Sequence, residues 1–172
     1  PHFPHRARHP CAARPHPHHA AMNTIPLEIQ KSLLADPVAF ARYGSGIRLR
    51  SYQAEVMRAL VRSALLKQGL TFVVMFPRQS GKNELQAQIE TYLLAVSQEL
   101  DAEMVKISPT WKPQSLNAMR RLQRVLSANR LLNRGWVKES GYCYRVGRAR
   151  VFFLSGAPEA NIVGATASTL LE

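Results

Sequence analysis

Apolar positions along the chain fall into runs of different period, and the period changes near residue 70. Residues 25–35 carry helical spacing and predict a short helix. It should end before Asp36-Pro37, because a residue preceding proline resists the α conformation. Tyr43-Gly44-Ser45-Gly46 reads as a loop. From Arg50 a longer helix is expected, with Tyr52, Val56, Leu60 and Ala64 four residues apart and Gly69 as its stop. Leu70-Thr71-Phe72-Val73-Val74-Met75-Phe76 is continuous, apolar and β-rich, the pattern of a strand buried on both faces. Helical spacing then returns at Leu85, Ile89, Leu93 and Val96.

Further on, residues 104–108 predict a second short strand. Residues 114–128 predict a helix with Leu116, Met119, Leu122 and Leu126 inward. Residues 142–146 and 150–154 read as a hairpin around Gly147-Arg148. The alternation of strands and helices predicts an α/β fold with a mainly parallel sheet flanked by helices, plus that hairpin. No internal repeat is visible.

The segment between the apolar run and the next helix, Pro77-Arg78-Gln79-Ser80-Gly81-Lys82-Asn83, has the chemistry of a phosphate loop. A tight turn into a helix aims backbone N–H groups at the positive end of the helix dipole. Gly81 allows close approach of a phosphate, and Lys82 offers a point charge to it. Against the pattern G-x-x-x-x-G-K-[ST], Phe76 stands at the first glycine and Asn83 at the hydroxyl. A glycine turn that simply caps a helix is the plainer reading of Gly81-Lys82. Asn83 has a carbonyl oxygen suited to Mg²⁺ where Ser or Thr usually serves, and Glu84 competes for that role.

Composition divides the chain. All six histidines and five of the eleven prolines lie within residues 1–21, which show no apolar periodicity and no signal-peptide core. That stretch reads as a disordered leader ahead of Met22, with residues 22–172 as a single domain. Two cysteines, Cys11 and Cys143, form no metal or redox motif, so a reduced cytoplasmic setting is expected. No apolar run is long enough to cross a bilayer. Residues 112–150 hold ten Lys and Arg against one acid, Glu139, whereas residues 22–111 are nearly balanced at ten to eight. Lys112, Arg120, Arg121 and Arg124 form the core of a footprint suited to phosphate backbones. A solvated helix face, or a surface meeting acidic groups of a neighbouring subunit, fits the same counts. Trp111 and Trp136 have the chemistry to stack on bases, although packing is the commoner use.

Residues 77–84 resemble the deviant Walker A loop of phage terminase large subunits, with Arg-Gln inside the loop and Asn after the lysine. Three other segments agree in order. Arg48-Leu49-Arg50-Ser51-Tyr52-Gln53 resembles the adenine-recognising glutamine motif. Residues 107–115 resemble the segment that faces nucleic acid in related translocases, and residues 161–167 with Leu170-Leu171-Glu172 resemble the run leading into Walker B. The resemblance covers about residues 45–172 and implies a RecA-type P-loop ATPase using ATP and Mg²⁺ to drive double-stranded DNA into a procapsid. It further implies a terminase small subunit, a portal protein and other copies of the chain as partners, in the cytoplasm of a bacterial host.

By the same resemblance, Gln53 would contact adenine, Lys82 the phosphates and Arg78 the γ-phosphate. Pro77, Gln79, Ser80, Gly81 and Asn83 would complete the nucleotide site, with Asn83 at the metal. The acidic Walker B pair would follow Glu172, so this polypeptide is expected to bind ATP weakly without turning it over. A helicase-like translocase shares most of these segments, and a non-catalytic nucleotide- or DNA-binding module is a third reading. The Arg-Gln pair and the Gly-Ala-Thr-Ala run of residues 164–167 favour the first.

Overall fold

The computed structural model describes residues 25–157 and 166–172. The 1–21 leader and most of the 161–167 run therefore lie outside the described residues. Helix α1 (Leu27–Ala35) ends where expected: Asp36, before Pro37, is extended at φ −130°, and its carboxylate accepts the Val38 N–H to start the short α2 (Pro37–Ala39). A π-helical turn, Phe40–Gly44, follows at once. Helix α3 (Ser51–Leu65) stops at Lys67 and Gly69, both with positive φ. Its buried stripe is Gln53, Met57 and Val61, one position beyond the spaced set read from the sequence. Tyr52, Val56, Leu60 and Ala64 are half-buried, and the last three line a groove.

Helix α4 (Lys82–Val96) buries nearly every residue from Leu85 to Ala95. It packs on α5 (Leu116–Ala128), whose Met119, Leu122 and Leu126 point inward as predicted. Tyr92 meets Phe40 edge to face at 5.3 Å, and its hydroxyl donates to the Leu34 carbonyl at 2.7 Å, fastening α1 to α4.

Among the described residues, five strands form one sheet in the order β2-β3-β4-β1-β5: β1 (Glu103–Ser108), β2 (Trp136–Glu139), β3 (Cys143–Val146), β4 (Ala149–Ser155) and β5 (Leu170–Leu171). The expected hairpin is present as β3 and β4, with Gly147 at φ 57° in its turn. A Cβ there would come within 2.2 Å of the Gln98 carbonyl oxygen, so the turn demands glycine. The sheet is mixed, which corrects the expectation of a mainly parallel one. Strand β1 runs parallel to β4 and β5, but β2, β3 and β4 follow one another antiparallel. Their short connections leave no room for the crossover that parallel pairing needs.

The largest departure is at residues 70–76, which form no strand. Val73 is 86% exposed and Met75 87%, the opposite of a strand covered on both faces. A continuous apolar run becomes a strand only beside a backbone that accepts its hydrogen bonds. The neighbouring edge, β5, spans two residues and, among the described residues, pairs only with β1. Between that edge and residues 69–74 lies a groove of about 890 Å³, with Lys82, Ile89 and Glu172 on its walls.

Among the described residues, no helix is long and apolar enough to cross a membrane.

Candidate phosphate loop and its surroundings

The turn at residues 77–81 is built from local bonds and two braces. Ser80 Oγ donates to the Pro77 carbonyl at 2.7 Å, closing the turn, and Gln79 takes a positive φ of 60°. Gly81 then adopts φ 82° as the residue before α4. From α3, the Tyr52 hydroxyl donates to the Ser80 carbonyl at 2.9 Å and Gln53 Nε2 donates to the same oxygen at 3.0 Å. Gln53 Oε1 accepts the Arg50 N–H at 2.9 Å, so both ends of this buried amide are engaged. Phe76, at the place of the usual first glycine, packs edge to face on Tyr52 at 5.1 Å. The aromatic pair fixes the entry to the loop that a glycine would leave loose.

At the loop's far end the first helical bond is Leu85 N–H to the Gly81 carbonyl, 3.0 Å. The N–H groups of Lys82, Asn83 and Glu84 precede it and, among the described residues, have no acceptor, as at any helix start. Arg78, Gln79, Lys82 and Asn83 are exposed, and neither Arg78 nor Lys82 enters an ion pair among the described residues. The predicted loop residues Pro77 to Asn83 are thus contiguous, with Gln53 beneath them. The strand that such a motif requires before its loop is absent, so only the loop-to-helix half of that context is built. For a polyphosphate, these N–H groups and the two exposed cations fit. For Mg²⁺, Asn83 offers one oxygen, and no group of three or more His, Cys, Asp or Glu suited to a metal occurs among the described residues.

The basic segment is less free than its composition implies. Arg121 Nη1 and Arg124 Nη2 both donate to Glu84 Oε2 at 2.8 Å, which places them beside the loop's helix. Lys112 and Arg120 are exposed. Trp111 lies against Tyr142 at 4.0 Å between ring centroids, and Trp136 against Tyr144 at 5.9 Å, so both are engaged in packing. Cys143 is buried, and burial pushes its thiol up to about 11, as befits a packing residue rather than a nucleophile.

One cluster has no counterpart in the sequence reading. Lys106, in the middle of β1, donates to Glu90 Oε1 at 2.5 Å and to Glu172 Oε2 at 2.9 Å. Burial raises the Glu90 carboxyl to about 8, the nearby lysine only partly opposing this. Burial disfavours the charge on Lys106, yet the two carboxylates outweigh it and its pKa is raised. A lysine between Val105 and Ile107, and a glutamate next to Ile89 on an apolar helix, were the available signals. The cluster ties α4, and with it the loop, to the sheet.

Comparison with protein families, curated proteins and solved structures finds no match for this chain.

Proposed function

We propose that this chain is the ATP-binding portion of a DNA-packaging motor of the phage terminase large-subunit type. The single observation supporting this most strongly is the braced turn at residues 77–81, with Lys82 and Arg78 at a helix start and in no ion pair among the described residues. Lys82 and the N–H groups of the first turn of α4 would hold the β- and γ-phosphates, and Arg78 would reach the outermost charge. Asn83 would supply a protein oxygen to Mg²⁺, which when bound neutralises charge between those phosphates. Tyr52 and Gln53 set the loop's shape. Double-stranded DNA would run along Lys112, Arg120, Arg121 and Arg124, with the small subunit, portal and further copies of the chain as partners at the procapsid in the bacterial cytoplasm.

Titration with a fluorescent ATP analogue tests the reading. The wild-type chain should bind, and Lys82→Ala should weaken binding at least about ten-fold, as expected for a lost charge-assisted contact. Equal affinity of the two proteins would remove the loop from nucleotide recognition. A non-catalytic nucleotide- or DNA-binding module is the second reading. It is favoured by residues 70–76, which form no strand before the loop. Parallel measurement of phosphate release bears on the two: turnover lost in Lys82→Ala would exclude a module and overturn the expectation of binding without turnover, whereas binding alone is what both readings expect of this polypeptide.

A further inference from the structure

Glu84 gathers donors from two helices. Besides Arg121 and Arg124 on Oε2, it accepts Gln88 Nε2 on Oε1 at 3.3 Å. Its side chain is 22% exposed, while those of Arg121 and Arg124 are 34% and 64% exposed, so solutes reach both guanidinium groups. Each arginine spends one nitrogen on this carboxylate, and a guanidinium has five N–H donors to give. An ion pair with this much solvent access is weak and reversible. Arg120, the next residue on α5, is exposed and in no ion pair among the described residues.

We propose that Glu84 is a clasp that holds Arg121 and Arg124 against the first turn of α4 and so limits how strongly α5 grips a DNA backbone. This rests on the DNA-binding part of the function proposed above. A phosphate approaching α5 meets Arg120 directly, but for the other two must compete with a carboxylate that already shares its one negative charge between them. Because Glu84 lies three residues after Gly81, the clasp joins the DNA-facing helix to the helix that carries the phosphate loop.

The test is the affinity of the full chain for a fluorescein-labelled duplex, read by anisotropy across a range of salt concentrations. Glu84→Gln should tighten binding by about three- to ten-fold and steepen the salt dependence by about one to two in slope, as two more cations engage phosphates. Adding Arg121→Gln and Arg124→Gln to that variant should abolish the gain. Glu55→Gln, which removes an exposed acid from α3, changes net charge equally and should leave affinity near wild type. Should Glu84→Gln lose its fold by circular dichroism, Glu84→Asp replaces it, with the same expected direction because its carboxylate is one methylene shorter. Wild-type affinity and slope in the Glu84 variant would overturn the clasp while leaving DNA binding intact. No duplex binding by any variant would overturn both the clasp and the DNA reading, and leave the nucleotide titration to stand alone.

Discussion

Lys106→Met is expected to lower the free energy of unfolding by about 3–5 kcal/mol, the usual cost of breaking a buried ion pair by removing one partner. Urea denaturation reads it as a lower midpoint at unchanged slope. The reason lies in what would be left behind. Glu90 and Glu172, with side chains 2% and 12% exposed, would face each other without the cation between them. Adding Glu90→Leu and Glu172→Gln to Lys106→Met should recover much of the loss, because a buried ionic cluster replaced as a whole by uncharged groups is often neutral or stabilising. A single variant with the wild-type midpoint would mean that the cluster does not fasten α4 to the sheet.

The same cluster dictates a pH dependence. Glu90 is held up to about 8 in the fold, against 4.5 for a free side chain. Between those values the unfolded chain has lost this proton and the folded chain retains it, so unfolding releases a proton and stability falls as pH rises. The contribution is complete below about 4.5 and gone above about 8. Glu90→Gln keeps a neutral side chain at every pH. Its urea midpoint should therefore vary less between pH 5 and 8 than that of the wild type, measured on a grid of about half-unit steps. Parallel curves for the two proteins would assign the slope to other groups. The exposed pair of Asp101 with Arg148 and the half-buried pair of Glu139 with Arg145 act in the opposite sense, since hydrogen bonds from the arginines hold both carboxyls below their ordinary values and their contribution is lost in acid.

Elements whose signals are local were legible in the sequence. Asp36-Pro37 stopped α1, the apolar spacing of 116–126 gave α5 its buried face, and Gly147 marked the hairpin turn. Residues 70–76 carried an equally strong signal and formed no strand. Apolar content reports how much a segment gains by burial, but a strand also needs a neighbouring backbone, and that neighbour is not encoded in the segment. The site divides in the same way. The turn at Ser80-Gly81 and the cations around it are contiguous and were readable. The pairing of Glu84 with Arg121 and Arg124 spans 37 and 40 residues, and that of Lys106 with Glu90 spans 16. Counting charges in residues 112–150 registered ten cations, but it could not register an acid brought to them from another helix.

Gly81→Ala should be the most damaging single change within the loop, at about 2–4 kcal/mol of stability, combining left-handed backbone strain with overpacking. Gly81 has φ 82°, and an added Cβ would come within 2.7 Å of Gln53 Nε2, an atom fixed by its bond to Ser80. That clash lets the role of Gln53 be separated from the adenine contact that the family resemblance implies. If Gln53 works as a brace, Gln53→Ala and Gly81→Ala disturb the same carbonyl and weaken inorganic triphosphate and ATP by similar factors. If Gln53 also reads the base through the second hydrogen of its Nε2, Gln53→Ala costs ATP more than triphosphate and narrows the preference for ATP over GTP. The brace is the expected outcome, because Oε1 is committed to the Arg50 N–H and Nε2 to the Ser80 carbonyl. A Gln53→Ala variant that kept its triphosphate affinity and lost only discrimination between bases would refute it. Gly81→Ala would still have to unfold early in that case, since its strain belongs to the backbone and does not depend on what the loop binds.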